Sequence, residues 1–503
     1  MTERTVVWAG WPYAPAPIEA IDRLIRIRVA RDDGSLDPVT ARVVDDAGRP
    51  LRLGTLAQLR ELLRHGWLRA LDAALAAAIA LVVRRRAPAA RPNAAGRGPV
   101  VLVLPVLPDL SHTFVYREVL ALLRQRPDWR VVVLQHNERA PMHAEARELL
   151  AHATFLRRDG ITRRALRLFG WLTTSRGRNL FAQYRAEPRS RLGDLLGKLP
   201  LRDARHPGNA FALADQLRAL DPRHVHVYSS TWPANVALGA ARLLGVPCSI
   251  SSYVDFEFPY SHKMLAAKLQ QATFCRVVTA FCAQRLRTLP EAAATPASRI
   301  PVVLLGLDLA NWRQHATPRG NGTLVSAARL VPKKGLQFVP AALASLRARG
   351  IACRWRVIGD GPELTSLQRL CAEHRVTDLV QFLGPLDNTS VRQELLTADL
   401  ALLPCVIAAD GERDGIPIFL CEAMALGVPV VTTPVSGIPE LVRDGDTGWL
   451  AAPGDANALA DVLARALTDT EATRAIAERG RAAVYRDLDV DALASTLVAE
   501  IER

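Results

Sequence analysis

Two carboxylates lie eight positions apart in "RDGIPIFLCEAMALGVPVV", residues 413–431. Asp414 precedes Gly-Ile-Pro, whereas Glu422 lies within a run of mostly apolar residues. Pro417 followed by good helix formers predicts a helix, and Gly427 is typical of its end. Glu422 would then lie on a mostly buried helix, where a carboxylate is costly unless something hydrogen-bonds it. The spacing therefore raises the question of which donor Glu422 meets.

A basic pair precedes these acids in "SAARLVPKKGL", residues 326–336. Arg329 follows a predicted strand, and Lys334 belongs to the turn that leads into a predicted helix. Both could converge on one anion near that helix N-terminus, where backbone amides and the helix dipole also attract negative charge. A solvated basic turn is the simpler interpretation of this segment alone, but the acidic pair later in the same domain favours an anion site.

The segment "RVIGDGPEL", residues 356–364, places Gly359 and Gly361 at the end of a predicted strand. A dinucleotide-binding turn needs a third glycine three positions further on, where this chain has Leu364. The pattern disfavours a nicotinamide dehydrogenase and predicts a tight strand-to-helix turn.

These residues need a scaffold, and the chain supplies two similar sets of elements. Continuous apolar runs are typical of parallel strands, and helical stretches separate them. The first set has strands at "VVLVLPVLP", "RVVVLQ", "HVHVYS" and "PCSISSY", with helices over 114–125 and 234–244. The second has strands at "GTLVSAARL", "WRVIGDG", "VQFLG", "LALLPC" and "VPVVTT", with helices over 335–349, 362–375, 390–397 and 417–426. The alternation predicts two doubly wound α/β domains, 99–300 and 301–485.

The composition fits a folded protein of this kind. The 503 residues allow two or three domains, and 49% hydrophobic with 23% charged residues is typical of globular chains. The seven cysteines form no Cys-x-x-Cys or Cys/His metal pattern, so we interpret them as reduced thiols of a cytosolic protein. Polar and charged residues interrupt every early apolar run, so we expect no signal peptide.

The net charge of +14 is unevenly distributed. Residues 319–503 hold 19 Lys and Arg against 24 Asp and Glu, whereas residues 1–318 hold 45 against 26, a net charge of +19. Such asymmetry points to a polyanionic partner for the first part, either nucleic acid or an anionic membrane surface. The alternative is that the arginines simply fill solvated faces.

Two segments exceed what a pair of α/β domains needs. Residues 1–98 include an apolar stretch, Ala73 to Val83, which is too short to span a bilayer but could lie in the interface or pack on a domain. Residues 157–205 mix arginines with Leu, Phe and Trp. An Ala/Pro/Arg/Gly linker, 87–99, separates the first segment from the α/β part.

Five motifs together carry a family resemblance. "ARLVPKKGL", "VIGDGPEL", "VQFLGPL", "ADLALLPC" and "DGIPIFLCEAMALGVPVVTTPVSGIPELVRDGDTGWL" occur in this order. They resemble the nucleotide-sugar-binding half of the retaining glycosyltransferases of family 4. The Gly-Ile-Pro and "PDLSHTFVYREVLAL", residues 108–122, are similar to the exopolysaccharide, colanic-acid-like subgroup. The resemblance covers about 100–503 and is strong over 323–455.

The resemblance implies an α/β protein with the GT-B fold, in which two Rossmann-like doubly wound domains face each other across a cleft. The implied organisation is an N-terminal extension and linker, 1–98, an acceptor-side domain, 99–300, and a nucleotide-sugar-binding domain, 301–485. A final helix within 486–503 would cross back to the first domain.

The resemblance implies roles for the basic pair and the two acids described first. Arg329 and Lys334 match the basic pair that binds the donor diphosphate and neutralises the leaving nucleotide. Glu422 matches the acid that accepts hydrogen bonds from the ribose hydroxyls, so a diol would make its burial tolerable. Asp414 matches the acid beside the transferred sugar, and we count it with the basic pair as catalytic.

The remaining donor contacts come from backbone. Gly415 and Ile416 match a loop whose amides reach the sugar hydroxyls and phosphate. The base would lie near Gly384 and Pro385. Asp414 stands where the family more often has Glu. The aspartate side chain is shorter, which changes the donor preference.

The acceptor side departs further from the family pattern. Ser111, His226 and Asp255 are the candidate residues there. Shortly before Asp255 the family usually has a histidine that contacts the donor sugar, and this chain has the segment "SSY" instead. Tyr228 stands where a further histidine is common.

The function implied is retaining transfer of a hexose from a nucleoside diphosphate sugar to a growing, lipid-linked glycan of an exopolysaccharide. No cofactor or obligatory metal is expected, because basic side chains and helix dipoles replace a cation. We expect a cytoplasmic protein, peripheral on the inner face of the cell membrane, that binds an anionic membrane surface and no nucleic acid. The alternative is a non-catalytic scaffold or nucleotide-binding protein on a degenerate GT-B fold.

Overall fold

Two parallel sheets of six strands each organise the part of the chain that the computed structural model describes. The described residues are 29–30, 36–37, 98–109, 112–138, 144–157, 167, 169–186, 209–253, 268–292, 295–317 and 320–503. Contacts divide the chain into two units, Met1–Ala80 and Leu81–Arg503. In the first unit β1 (Val29–Ala30) pairs antiparallel with β2 (Leu36–Asp37). The second unit contains both six-stranded sheets.

The first sheet forms from the Val- and Leu-rich runs. Its strands are β3 (Val100–Leu107), β4 (Arg130–His136), β5 (Ala153–Phe155), β6 (His224–Tyr228), β7 (Cys248–Ser252) and β8 (Cys275–Val277). They lie in the order β5-β4-β3-β6-β7-β8, and all neighbours are parallel. The central strand β3 is buried along nearly its whole length, which explains its continuously apolar sequence.

Helices connect these strands. They are α1 (Thr113–Gln125), α2 (Ala144–Leu150), α3 (Ser175–Ala186), α4 (Asn209–Arg218), α5 (Trp232–Leu244) and α6 (Ala280–Arg287). α5 begins with a proline in its first turn and ends at Gly245 in the left-handed conformation, the start and stop signals that its sequence carries.

The second sheet repeats the arrangement. Its strands are β9 (Thr323–Ala327), β10 (Arg354–Ile358), β11 (Val380–Gly384), β12 (Leu400–Leu402), β13 (Val430–Thr432) and β14 (Trp449–Leu450). They lie in the order β11-β10-β9-β12-β13-β14, again all parallel. Ser326 on β9 joins three strands, because its hydroxyl accepts from Trp355 Nε1 at 2.9 Å and donates to the Leu402 carbonyl at 2.5 Å.

The second set of helices ends by returning to the first domain. It consists of α7 (Val339–Ala348), α8 (Leu364–Glu373), α9 (Asn388–Leu396), α10 (Ile418–Ala425), α11 (Ile438–Leu441), α12 (Ala456–Thr468), α13 (Thr470–Asp487) and α14 (Val490–Glu502). On α14 the buried side chains of Leu497 and Ile501 join the apolar core that contains Val119 of α1. Arg124 of α1 also bonds Asp491 of α14 at 2.7 Å. The last helix is thus part of the first domain's core.

Both sheets have the doubly wound strand order, with strands 3-2-1-4-5-6 counted within each sheet. The direction of winding reverses between β3 and β6 in the first sheet and between β9 and β12 in the second. In open α/β sheets, ligands bind beyond the carboxyl ends of the strands at such switch points. The switch points therefore locate the two crevices in which chemistry is expected.

The predicted fold class is confirmed, and the boundaries predicted for the domains stay predictions. The strands β5, β8 and β14 were not predicted from the sequence, because they hold two or three residues each, lie at the sheet edges and carry no periodic signal. The helix predicted over 335–349 begins at Val339. Two 3-10 turns precede it because Gly335 adopts the left-handed conformation.

Several predictions fall on residues outside the described part. They concern the apolar stretch from Ala73 to Val83, the linker 87–99 up to residue 97, and most of 157–205. Among the described residues, no helix is both long enough and apolar enough to cross a membrane.

Candidate active site

A tight basic turn lies beyond the carboxyl end of β9. Pro332–Lys334 form a 3-10 turn that Gly335 closes at φ +70°. A Cβ at Gly335 would lie 1.7 Å from the Pro404 carbonyl oxygen, so only glycine lets the turn approach the chain after β12 this closely. The turn is thereby held at the β9/β12 switch point.

This approach brings the basic turn against Asp414. Lys334 Nζ lies 2.6 Å from Asp414 Oδ2, and Lys333 Nζ lies 3.4 Å from Asp414 Oδ1. Lys333 also lies 3.7 Å from a carboxylate oxygen of Glu412. The structure therefore joins Lys334 and Asp414, two predicted site residues, and adds Lys333, which the sequence analysis passed over although it is the neighbouring lysine.

The charges of this group support one another. Burial alone would raise the pKa of Asp414, but Lys334 and Lys333 hold that pKa below its ordinary value. Burial alone would lower the pKa of Lys334, but the Asp414 carboxylate raises it, while the nearby Arg329 acts in the opposite direction. Lys334 and Asp414 are therefore both ionised at neutral pH.

Arg329 lies just past the end of β9 and is exposed to solvent. Its charge is close enough to lower the pKa of Lys334. The two predicted diphosphate ligands thus lie at the same crevice, and the phosphate role assigned to them stays a prediction.

The predicted backbone contacts lie at the end of β11 and just before α10. Gly384 ends β11 with φ +69°, and its carbonyl accepts from Gly359 N at 2.8 Å. Pro385 follows it. Gly415 and Ile416 connect Asp414 to the start of α10. Their roles as base and sugar contacts stay predictions.

Glu422 is buried, as the sequence analysis expected, with 10% of its side chain exposed. It lies on α10, where seven of eight residues are buried. Its partner is Arg117, whose Nη1 donates to Glu422 Oε1 at 3.2 Å from α1 of the first domain. Burial raises the pKa of Glu422, and Arg117 opposes this without cancelling it.

Arg117 also donates through Nε to Glu145 Oε1 at 3.1 Å. The sequence analysis did not single out Arg117. The available signal was an arginine in the middle of "TFVYREVLALL", where the apolar pattern places it on the buried side of a helix.

Glu440 makes a second contact across the cleft. Its carboxylate accepts from the backbone N–H groups of Ala280 at 2.8 Å and Phe281 at 2.7 Å, at the start of α6. A carboxylate is favourable there because the first N–H groups of a helix lack partners within the helix. The Arg413 guanidinium carbon lies 6.0 Å from the ring centre of Phe281. The two domains are thus in contact at two places, through Glu422 and through Glu440.

His226 does not reach a crevice. It is fully buried on β6, with Nδ1 at 2.7 Å from Ser249 Oγ and Nε2 at 2.9 Å from Ser251 Oγ. Burial lowers its pKa well below the ordinary value, so the ring is neutral. The geometry gives His226 a place in the sheet's internal hydrogen bonding, whereas Ser111 and Asp255 lie outside the described residues.

A buried ion pair adjoins His226. Arg276 and Glu118 bond through Nη2 and Oε2 at 2.7 Å, with 0% and 3% of their side chains exposed. Ser251 accepts from Arg276 as well as contacting His226.

Among the described residues, no group of three or more His, Cys, Asp or Glu side chains could hold a metal ion.

Comparison with known proteins agrees with this geometry. Residues 310–483 match the family described as glycosyl transferases group 1. The matched range contains the basic turn, Asp414, Glu422 and the loop at Gly384. The second domain is therefore a group 1 glycosyltransferase domain.

Two relatives are named for polysaccharide biosynthesis. The protein named colanic acid biosynthesis glycosyltransferase WcaL, from Salmonella typhimurium, is 29% identical over 410 residues, which cover 78% of this chain and 97% of WcaL. The amylovoran biosynthesis glycosyltransferase AmsK of Erwinia amylovora is 38% identical over 176 residues, 35% of this chain and 43% of AmsK. The resemblance predicted from the sequence is confirmed.

A solved structure supports the fold. Anabaena HepE, crystallised with UDP and glucose, superposes with a TM-score of 0.59 at 17% identity, over 80% of this chain and 99% of HepE. At that identity the likeness concerns the fold alone. The chain has the GT-B fold, with two doubly wound domains and the last helix returning to the first.

Proposed function

We propose that this chain is a retaining glycosyltransferase that moves a hexose from a nucleoside diphosphate sugar to a growing exopolysaccharide glycan. The observation that carries the proposal is the charge arrangement at the β9/β12 switch point. There Lys334 and Lys333 bond Asp414, and Arg329 lies near enough to act on Lys334. Anionic ligands bind at such a place in open α/β sheets.

The basic residues would bind the donor diphosphate. As the bond from the sugar's anomeric carbon breaks, the nucleoside diphosphate leaves with the bonding electrons, and the charges of Arg329 and Lys334 stabilise it. Lys334 has three donors, so a phosphate oxygen and Asp414 can share its ammonium group. In this proposal no metal is required.

The carboxylates would bind the sugar parts of the donor. Asp414 is an ionised acceptor beside the transferred sugar, with the Gly415 and Ile416 amides next to it. Glu422 would accept hydrogen bonds from the ribose, and the base would lie near Gly384 and Pro385. The support is that Gly384 ends β11, that Asp414, Gly415 and Ile416 precede α10, and that all of these residues lie within the matched domain.

The acceptor would be lipid-linked and presented at an anionic membrane. The relatives' names support a polysaccharide product. The charge of +19 over residues 1–318 supports an anionic surface. Phe169 belongs to the Arg-rich segment 157–192 and exposes 58% of its surface, a combination that suits the headgroup boundary. We place the protein on the cytoplasmic face of the membrane.

Donor turnover tests the enzymatic part. Purified protein is incubated with UDP- and GDP-linked sugars, and released nucleotide is measured with the wild type, Lys334→Ala and the control Arg369→Ala, which removes an exposed charge from α8. We expect one donor to be hydrolysed slowly, with loss of activity in Lys334→Ala alone. The anomeric configuration of a transferred sugar, read by NMR, decides between retention and inversion. Nucleotide binding without turnover would support the scaffold alternative.

Liposome co-sedimentation tests the membrane part. We expect binding to vesicles with anionic lipid but not to neutral vesicles, with loss at high salt because surface charges are screened. Charge reversal within 157–192 should abolish it. Absence of binding to both kinds of vesicle would refute membrane association without affecting the donor assay.

A further inference from the structure

Arg117 is a buried cation shared by the two domains. Only 7% of its side chain is exposed. It bonds Glu145 within its own domain through Nε, and Glu422 of the second domain through Nη1. The planar guanidinium carries these donors on a fixed fork, so the bond to Glu145 also sets the direction in which Nη1 points.

Glu422 has acceptor capacity that Arg117 does not use. Within the described part of the chain, Arg117 is the one side chain that hydrogen-bonds the Glu422 carboxylate, and it does so at Oε1. An ionised carboxylate accepts at both oxygens. Oε2 is therefore left for another donor, such as a hydroxyl.

We propose that Arg117 is a positioning residue for donor binding, holding the Glu422 carboxylate oriented so that its second oxygen accepts a ribose hydroxyl. The inference rests on the proposed function, which assigns the ribose to Glu422. Because Arg117 comes from the first domain, the ribose site is complete only when the two domains are in contact.

The surroundings of Glu422 show why such a residue is needed. α10 is otherwise apolar, and its neighbours on both sides of Glu422 are buried. Burial favours the protonated form, as the raised pKa of Glu422 indicates, and Arg117 is the group that opposes it. Without Arg117, the carboxyl group would more readily hold a proton at neutral pH and would lose its fixed orientation.

Calorimetric titration with UDP or GDP, whichever the wild type binds, tests the inference. Arg117→Met keeps an unbranched apolar side chain and removes the donors. We expect it to weaken binding roughly tenfold or more, the range of a charge-assisted hydrogen bond. Arg124→Met is the matched control on the exposed side of the same helix, and its binding should equal that of the wild type.

A nucleotide without ribose hydroxyls isolates the contact. With the 2′,3′-dideoxy nucleoside diphosphate, Arg117→Met and the wild type should bind equally. In a Glu422→Gln background, Arg117→Met should likewise have no further effect, because Arg117 acts through Glu422. Arg117→Lys should recover part of the affinity, since it restores the charge without the fork.

Kinetics separate positioning from a general structural role. Donor KM should rise in Arg117→Met with kcat nearly unchanged, because the ribose contact is equally present in ground and transition states. Melting temperatures of Arg117→Met and Arg124→Met show whether the variants are folded.

Each contrary result has a distinct meaning. Tighter binding by Arg117→Met would show that Arg117 competes with the ribose, and an equal loss with the dideoxy nucleotide would show that it only supports domain contact; either overturns the inference. If Arg117→Met binds the nucleotide as tightly as the wild type, the inference is also overturned, whereas the proposed function is unaffected. A wild type that binds neither UDP nor GDP would instead overturn the proposed function.

Discussion

Arg276 lies on the edge strand β8 of the first sheet, and Lys334 lies in the turn after the central strand β9 of the second. Both are cations, but their surroundings differ. Arg276 is fully buried, and its five N–H donors meet five acceptors: two oxygens of Glu118, the Ser251 hydroxyl and the Val303 and Leu304 carbonyls. Lys334 keeps 15% of its side chain exposed and lies among other charges: it shares the Asp414 carboxylate with Lys333, and Arg329 is close enough to lower its pKa.

The comparison teaches that strand order alone does not determine where a ligand binds. Both sheets have the same topology and a switch point. In the first, protein groups already satisfy the charges of Arg276 and Glu118, so this pair serves stability. In the second, the three cations Lys334, Lys333 and Arg329 outnumber the carboxylates of Asp414 and Glu412, so an anion can still be bound.

Breaking the buried pair should give the largest effect. Arg276→Met leaves the Glu118 carboxylate buried and unpaired, which we expect to lower the unfolding free energy of the first domain by about 3–5 kcal/mol. Urea denaturation measures it. UDP binding by the folded protein should be unchanged. If the double variant Arg276→Met, Glu118→Gln regains stability, the unpaired Glu118 carboxylate is the cause of the loss. If Arg276→Met lowers the unfolding free energy by less than about 1 kcal/mol, the contrast between the two cations is wrong.

Removing a buried side chain from α14 should give the second-largest effect. Leu497 is fully buried in the first domain's core, so Leu497→Ala should cost about 2–5 kcal/mol. Hydrogen exchange followed by mass spectrometry should show faster exchange in α1, although Leu497 is far from α1 in sequence. Thr496→Ala, at an exposed neighbouring position, serves as the control. Faster exchange confined to 323–450 would contradict the assignment of α14 to the first core.

Removing charge from the second crevice should affect binding instead of folding. Lys334→Ala and Arg329→Ala should each weaken nucleoside diphosphate binding by about 1.5–3 kcal/mol and nucleoside binding much less. Titration with UDP and uridine, or the guanine pair, measures the difference. Equal losses for nucleoside and diphosphate would remove the phosphate assignment.

Substituting the two acids should give the smallest effects. One substitution should change turnover and the other donor affinity. Asp414→Asn should lower kcat about tenfold, near 1.4 kcal/mol, because the proposed function puts Asp414 beside the reacting sugar. Glu422→Gln should mainly raise donor KM. Steady-state kinetics with the active donor measures both. If both variants change KM alone, Asp414 has no special role in the chemical step.

The fold class was predictable because long, buried parallel strands leave continuous apolar runs in the sequence. Eight of the residues proposed for donor binding could also be named in advance, since the motifs around Arg329 and Asp414 are local. The short strand β8, where Arg276 lies, carried no such signal, and neither did the partner of Arg276.

Local patterns in the sequence predict two doubly wound domains, a basic turn after β9, and a carboxylate on an apolar helix. The folded chain adds that Lys333 joins Lys334 at Asp414, that the ring nitrogens of His226 contact two serines, and that Arg117 of the first domain bonds Glu422 of the second. The physical reason is distance along the chain. Periodicity and turn chemistry act between residues a few positions apart, whereas Arg117 and Glu422 are 305 positions apart, and their contact depends on how two domains pack.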